Sequence, residues 1–162
     1  MELVSIIMPA YNCSRFIREA IDSVLAQTYT AWELLIVDDC STDDTAAIIA
    51  SYQDERIHYF RNEQNSGAAL SRNKALREAK GKYIAFLDAD DSWMPEKIEK
   101  QVAFMEQNGY AFTYTAFHRT DKPLRISGPR HITKMGMYAF CWPACPTVMY
   151  NREKIGLIQI TD

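Results

Sequence analysis

The alternation of short apolar segments with amphipathic segments constrains the fold of this chain more than any other feature. Apolar, strand-forming runs occur at 3–8, 34–37, 57–60 and 83–87, and a fifth run occupies 111–117. Between these runs, apolar residues recur with the spacing of an amphipathic helix. Short buried strands that alternate with helices form mostly parallel sheets with helices on both faces, so the sequence predicts an α/β domain.

Helix boundaries are expected where capping and helix-breaking residues flank the amphipathic segments. The expected caps or first residues of the four helices are Ser14, Ser41 or Thr42, Ser66 and Pro95. The first helix should run to about Gln27, and Gly81 and Gly109 should close the third and fourth. After about Asp121, Pro and Gly residues interrupt the pattern, which indicates a loop-rich extension of a single domain over 1–162.

Charge and hydropathy narrow the range of partners. The chain has 18 Lys and Arg against 21 Asp and Glu, a formal net charge of -3, which argues against a nucleic-acid binder. The start at Met1 and Glu2 lacks the basic character of a secretory signal. No apolar run approaches the ~20 residues that span a bilayer. We therefore expect a cytoplasmic protein, for which peripheral membrane contact stays open.

The four cysteines are expected to be reduced and mostly buried thiols. Cys141 and Cys145 are close in sequence, but no second pair and no nearby His completes a zinc pattern.

Polar residues follow four of the predicted strands at the point where each strand ends. In chain order they are Pro9, Tyr11 and Asn12, then Asp38 and Asp39, then Asn62, Asn65 and Gly67, and lastly Asp88, Asp90 and Asp91. Ligands of open α/β sheets bind outside the carboxyl ends of the strands. We therefore expect these groups to converge on one edge of the sheet.

The segment Asp88-Ala89-Asp90 is the most specific of these groups. In an extended chain, residues two apart point the same way, so both carboxylates could face one cation. Two carboxylates about 5 Å apart repel by roughly 3 kcal/mol at an effective dielectric near 20. Mg²⁺ or Mn²⁺ would relieve this repulsion and is typically held by one or two carboxylates plus substrate phosphates. The alternative is a solvated acidic loop that caps the next helix.

Several other residues have a binding and a structural interpretation. Asp38 and Asp39 could accept hydrogen bonds from a ribose hydroxyl or a base N–H, or could cap a helix. Tyr11 could offer an aromatic face to a base, or pack in the core. Arg72 could reach a base carbonyl or a phosphate, or lie on the helix surface. Gly67 could permit close approach of a ligand, or form a plain turn.

Other nucleotide-binding classes fail on the position of their motifs. A dinucleotide-binding domain needs a G-x-G-x-x-G turn after the first strand, where this chain has Pro9-Ala10-Tyr11-Asn12. No phosphate-binding G-x-x-x-x-G-K-[ST] loop is present. Phosphatases of the haloacid-dehalogenase type carry their paired aspartates after the first strand, whereas the pair here follows the fourth. A nucleotidyltransferase would usually show a Gly-rich, basic loop after the first strand.

The motifs together resemble those of the GT-A class of nucleotide-sugar glycosyltransferases, and within it the inverting family two. The segments that carry the resemblance are VSIIMPAYN (4–12), SVLAQTY (23–29), ELLIVDDCSTD (33–43), NSG (65–67) with SRN (71–73), GKYIAFLDADD (81–91) and WMP (93–95). The resemblance implies a GT-A fold. It also implies that 1–120 binds the donor and that 121–162 begins the acceptor side.

The resemblance implies a nucleotide-binding set of Pro9, Tyr11, Asn12, Asp38, Asp39, Asn65, Gly67, Arg72, Asp88 and Asp90. Tyr11 would face the base, and Asp39 would hydrogen-bond the base with support from Asp38. Arg72 would lie at the base or the phosphates. Asp88 and Asp90 would hold the ribose, the diphosphate and a Mn²⁺ or Mg²⁺ ion.

The implied activity is transfer of a sugar, with inversion, from a donor such as a UDP-sugar to an acceptor hydroxyl. The acceptor would be a glycan or lipid-linked glycan in surface polysaccharide or glycan synthesis. Family members continue further, and their catalytic base lies in a later acidic motif, so the base is expected beyond Asp162. The segment 146–152 resembles the strand before that motif, and only Asp121 and Asp162 could replace the base. The alternative is a nucleotide-binding module without turnover.

Overall fold

The computed structural model describes residues 1–119, 125–128 and 143–161. Its strands are β1 (Val4–Ala10), β2 (Trp32–Asp38), β3 (Ile57–Arg61), β4 (Tyr83–Phe86), β5 (Phe112–Tyr114), β6 (Phe117–His118), β7 (Arg125–Ile126) and β8 (Val148–Asn151). Its helices are α1 (Ile17–Leu25), α2 (Thr45–Ala50), α3 (Ala68–Glu78), α4 (Lys97–Asn108) and α5 (Arg152–Ile155), with a 3₁₀ turn at Cys145–Thr147.

Six strands form one mixed sheet in the order β3-β2-β1-β4-β8-β5. The first four strands in sequence pair in parallel, whereas β8 lies antiparallel between β4 and β5. The mostly parallel α/β sheet expected from the sequence is therefore confirmed. The fifth predicted strand, at 111–117, is shorter than expected and antiparallel, and its last residue belongs to the separate β6–β7 pair.

The core has two halves, one on each face of the sheet. Alternate residues of β1 divide between them, with Ile6 in the half covered by α1, α2 and α4, and Ile7 in the half covered by α3. Neighbouring β2 divides likewise between Leu34 and Leu35. Because both faces are covered, β1 and β2 are buried along nearly their whole length, which explains their continuous apolar sequences.

Most of the expected helix caps are wrong because the capping side chains and amides have partners elsewhere. The backbone N–H of Ser14 donates to Asp43, and α1 begins only at Ile17. The hydroxyl of Ser41 accepts the N–H of Asn12 instead of capping α2. Helix α2 begins at Thr45, so Thr42 also lies before it.

The ends of α3 and α4 also differ in part from the expected ones. Gly67, not Ser66, is the N-cap residue of α3, and Pro95 lies just before α4 instead of in its first turn. Gly109 does close α4 in the left-handed conformation, with φ at 66°, so that expectation is confirmed.

Three of the cysteines lie in the described residues and all three are free thiols. Cys13 is buried, but Cys40 and Cys145 are only half-buried, so the expectation of mostly buried thiols is wrong for these two. Cys141 lies outside the described residues.

Gly81 does not cap α3, because Ala79 already ends the helix in an extended conformation. It lies instead against the start of β1, where its amide donates to the Ser5 hydroxyl at 2.7 Å. A Cβ atom at Gly81 would lie 2.6 Å from the Ser5 nitrogen and 2.7 Å from the Leu3 oxygen. Glycine is thus required by close contact between two backbones.

We therefore predict that Gly81→Ala lowers the free energy of unfolding by ~3 kcal/mol, because the backbone of β1 must move to admit the methyl group. Gly109→Ala is the control: it forces alanine into a left-handed position, which Gly81 does not have, but the glycine has open space around it. The control should cost only about 1 kcal/mol. Urea denaturation measures both, and a loss at Gly81 no larger than the loss at Gly109 would contradict the packing argument.

Candidate active site

A cleft of about 480 Å³ lies at the carboxyl ends of β1, β2 and β4, beside the first turn of α3. Nine of the ten residues assigned to nucleotide binding from the sequence line this cleft, namely Pro9, Tyr11, Asn12, Asp39, Asn65, Gly67, Arg72, Asp88 and Asp90. The structure therefore brings together the ends of four different strands at one edge of the sheet.

Asp38 is the tenth residue and does not line the cleft. Its side chain is fully buried and accepts hydrogen bonds from the Ser41 amide at 2.9 Å and the Tyr59 hydroxyl at 2.9 Å. Burial and this hydrogen bond to Asp38 raise the pKa of Tyr59 to about 12. Asp38 thus braces the turn after β2 from below the site.

Asp39 is almost completely buried and collects donors from the chain that follows β3. Its carboxylate accepts the Asn62 side-chain amide at 2.7 Å, the Ser66 N–H at 2.9 Å and the Gly67 N–H at 2.7 Å. Burial alone would raise the pKa of Asp39, but these hydrogen bonds outweigh it and lower the pKa below its ordinary value. Asp39 therefore holds the loop before α3 against the end of β2.

Gly67 has the conformation that this arrangement needs. Its φ of 89° and ψ of 160° belong to a region that is open almost only to glycine. In this conformation its amide points at Asp39 and its Cα leads directly into α3. Gly67 is thus a turn residue. It also lines the cleft, where the open space around it leaves room for a ligand.

Arg72 projects from α3 to the cleft and pairs with Asp88. Its guanidinium Nη2 lies 2.5 Å from Asp88 Oδ1, and both side chains are partly shielded. Burial would lower the pKa of Arg72, but the charge of Asp88 outweighs it and raises the pKa. Among the described residues, the buried Nε atom of Arg72 has no hydrogen-bond partner.

The segment Asp88–Asp91 is a turn, not the extended chain expected from the sequence. The N–H of Asp91 donates to the Asp88 carbonyl at 3.1 Å. Asp88 and Asp90 nevertheless both line the cleft. Partial desolvation, and then the charges of Asp90 and Asp88, raise the pKa of Asp91. The turn thus concentrates negative charge, which Arg72 offsets only at Asp88.

Two aromatic side chains border the cleft, and only one of them was expected. Tyr11 is 50% exposed and Phe16 is 45% exposed, so both rings offer uncovered faces. Phe16 has the spacing of the apolar residues of α1, but it is the N-cap residue of that helix and its ring stays largely exposed. Ser71 also lines the cleft and is fully buried within α3, where its hydroxyl accepts the Asn62 side-chain amide. It was not identified from the sequence as a site residue.

Asn12 supports the cleft from the end of β1. It adopts a left-handed conformation with φ at 46°, which Asn tolerates better than most residues. Its N–H donates to Ser41 and its side-chain oxygen accepts the Thr42 N–H at 2.8 Å. These two bonds tie the turn after β1 to the turn after β2.

Asp88 and Asp90, which lie on the turn at Asp88–Asp91 (the aspartate turn), are two of the three carboxylates that line the cleft. In the stretches 1–119, 125–128 and 143–161, no group of three or more His, Cys, Asp or Glu side chains could hold an ion. A site with one or two carboxylates suits a divalent ion whose remaining ligands are water and phosphate oxygens.

Comparison with known proteins agrees with this geometry. Residues 5–160 match the model of the family described as glycosyl transferase family 2. The chain belongs to this family. It is 45% identical over 167 residues to a putative teichuronic acid biosynthesis glycosyltransferase, TuaG, of Bacillus subtilis, with 99% of this chain and 66% of that protein covered.

A second relative is the Escherichia coli UDP-Glc:alpha-D-GlcNAc-diphosphoundecaprenol beta-1,3-glucosyltransferase WfaP. It is 46% identical over 163 residues, with 98% of this chain and 64% of that protein covered. The family-2 chain thus spans about two thirds of the length of these relatives.

Solved structures show the same fold. Staphylococcus aureus TarS 1-349 in complex with UDP superposes with a TM-score of 0.80 at 27% identity, over 93% of this chain and 47% of that one. A mannosyltransferase from Pyrobaculum calidifontis, in complex with GDP-Man and Mn²⁺, has a TM-score of 0.71 at 21% identity. The GT-A fold implied by the sequence is therefore confirmed.

The hydrogen bonds at Asp39 generate a prediction about stability and pH. Asp39→Asn should lower the free energy of unfolding at pH 7 by ~1–3 kcal/mol, because the carboxylate accepts three donors. Since the folded pKa lies below the unfolded value of about 3.9, this stabilisation is present above that value and is lost as the pH falls through the folded pKa.

The measurement is urea denaturation of both proteins at pH 7 and at pH 3. The difference between them should shrink at the lower pH. Asp44→Asn serves as the control, because Asp44 is exposed and makes no side-chain cap bond at α2. A difference at Asp39 that is the same at both pH values would show that its ionised form is not what stabilises the loop.

Proposed function

We propose that the chain binds a nucleoside diphosphate sugar, such as a UDP-sugar, together with Mn²⁺ or Mg²⁺. The sugar would then be transferred, with inversion, to an acceptor hydroxyl. One observation carries the proposal. In this family-2 chain, Arg72 and the aspartate turn line the same cleft as the loop that Asp39 holds. The presence of UDP in a structural neighbour supports this choice of donor.

The nucleoside would occupy the side of the cleft near β1 and β2. Tyr11 offers an exposed ring for stacking on a base, and Phe16 widens the same apolar wall. Asp39 lies on the wall, with Asn65 and Gly67 beside it. In the resting structure its carboxylate already has three donors, so a base N–H would share its remaining lone pairs.

The diphosphate would lie near Arg72 and the aspartate turn. Partial desolvation, and then the charges of Asp90 and Asp88, raise the pKa of Asp91, and a divalent ion on this turn would offset those two charges. Asp90, whose side chain is exposed at the cleft, is the primary candidate ligand, and Asp88 is the second. Arg72 would orient Asp88 and place its positive charge near the anionic ligand.

The bound metal ion would supply stabilisation of the charge that develops on the departing diphosphate. Arg72, which pairs with Asp88, would add a positive charge near the same group. The acceptor hydroxyl must lose its proton as it attacks the anomeric carbon, and a carboxylate base is required for this step. The relatives are longer than the region they share with this chain, and we propose that the base lies in that additional part. Asp121, the other candidate, lies outside the described residues.

We further propose that 1–120 forms the donor-binding part and 121–162 begins the acceptor side. The acceptor would be a glycan or lipid-linked glycan in surface polysaccharide synthesis, at the cytoplasmic side of a membrane. The names of the two relatives, one in teichuronic acid synthesis and one with an undecaprenol-linked acceptor, support this class. In the described part of the chain, no helix is sufficiently long and apolar to span a bilayer.

The aspartate turn predicts that UDP binds with a divalent ion. In calorimetry, excess EDTA in place of Mn²⁺ should weaken UDP binding by ~10-fold or more, since charged contacts contribute about 1.5–3 kcal/mol each. Asp90→Asn should remove most of this dependence. Asp44→Asn, at an exposed aspartate away from the cleft, should leave it intact. Equal affinity for UDP with Mn²⁺ and with EDTA would exclude the metal role of the turn.

A further prediction concerns the rate at which this chain transfers sugar. Because the relatives extend beyond the aligned region, a nucleotide-binding module without turnover is the competing function for 1–162 alone. We expect this chain to bind UDP but to transfer sugar at a rate ~10²–10⁴-fold below that of a longer natural version, which is the typical contribution of a positioned base. Transfer assays with one UDP-sugar and a panel of acceptors compare the two. Comparable rates would place the base within 1–162.

A further inference from the structure

The last described segment of the chain runs back along α3 towards the cleft. At its start, the Arg152 guanidinium donates to the carbonyls of Ala79 and Lys80, at the C-terminal end of α3. At its end, Ile160 bonds to Asn73, in the middle of the same helix. Since α3 begins at the cleft, this segment approaches the cleft as it proceeds.

Asn73 grips the segment through both of its side-chain groups. Its Nδ2 donates to the Ile160 carbonyl at 2.7 Å, and its Oδ1 accepts the Ile160 N–H at 2.8 Å. The Asn73 side chain is buried, which shields both bonds from water. A buried amide with this pairing fixes the register as well as the position of the bound backbone.

Only one side of this segment packs on the core. Ile158 and Ile160 are half-buried against the core half beneath α3, whereas Leu157, Gln159 and Thr161 are exposed. This alternation is typical of a strand-like conformation, which advances ~3.3 Å per residue. Asn73 lies only two residues after Ser71, which lines the cleft. The two residues are therefore only ~3 Å apart along the axis of α3.

We propose that Asn73 is a positioning residue for the transfer reaction, because its paired hydrogen bonds direct the chain at Thr161 towards the donor cleft. The inference rests on the proposed function, which makes the cleft the site of the donor. Arg72, the preceding residue of α3, pairs with Asp88 inside that cleft. Adjacent residues of one helix thus hold the donor side and the chain that approaches it.

The test is nuclear magnetic resonance of the backbone amide signals. One sample contains UDP with paramagnetic Mn²⁺, and the reference sample contains UDP with diamagnetic Mg²⁺. In the wild-type protein, Mn²⁺ should cause loss of the Thr161 and Gly67 signals at a level that leaves Lys154 intact, because Lys154 lies at the far end of the sheet. In Asn73→Ala the Gly67 signal should still be lost while the Thr161 signal persists. Asn108→Ala, in which a remote Asn side chain is removed from α4, should behave as wild type.

The outcomes separate the two proposals. Loss at Gly67 without loss at Thr161 in the wild type would overturn the positioning role and leave the donor site in place. Absence of loss at Gly67 would overturn the donor site and the positioning role together. If Asn73→Ala does not fold, Asn73→Asp keeps the acceptor but removes the donor to Ile160, and the wild-type comparison of Thr161 with Lys154 remains decisive.

Kinetics in a longer natural version distinguish positioning from a general structural role. Asn73→Asp should lower kcat by ~10-fold or more, as small misplacements of reacting groups do, while the KM for the donor stays unchanged. A rise in the donor KM with unchanged kcat would contradict the inference.

Discussion

The buried carboxylate of Asp39 is the interaction on which the rest of the site depends. A buried charge of this kind is costly unless several donors satisfy it, and these donors come from the loop between β3 and α3. The requirement fixes that loop against β2 and sets Gly67 in its unusual conformation. The first turn of α3 follows from this arrangement, and with it the position of Arg72 opposite Asp88.

The strands of the parallel half were predictable because burial on both faces leaves continuous apolar runs in the sequence. The helix caps were not, since they depend on partners far along the chain: Ser41 accepts from Asn12, and Ser14 donates to Asp43. β8 has four residues and follows a Pro-containing turn, so it lacks the length for a periodic signal. Only the resemblance of 146–152 to a family strand indicated it, and periodicity alone would have missed its antiparallel pairing with β4.

The site was predictable to the extent that each candidate residue directly follows a strand. Its finer division was not. Neighbouring residues at a strand end point in different directions, and the sequence alone does not say that Asp39 faces the cleft while Asp38 faces Tyr59. Phe16 fits the helical spacing of the apolar residues that follow it, although α1 begins only after it. In each case a boundary shift of one residue decides whether a side chain serves packing or the cleft.

Helix α3 connects the donor cleft with the chain at Ile160. It packs on β1 and β2 through Ala75 and Leu76, and its small side chains allow close contact with the sheet. Successive residues of a helix point ~100° apart, so Arg72 reaches the cleft while Asn73 reaches the chain at Ile160. A displacement of α3 would therefore disturb the Arg72–Asp88 pair and the bonds to Ile160 together. Because the helix starts at the loop that Asp39 holds, the hydrogen bonds of that one carboxylate support both.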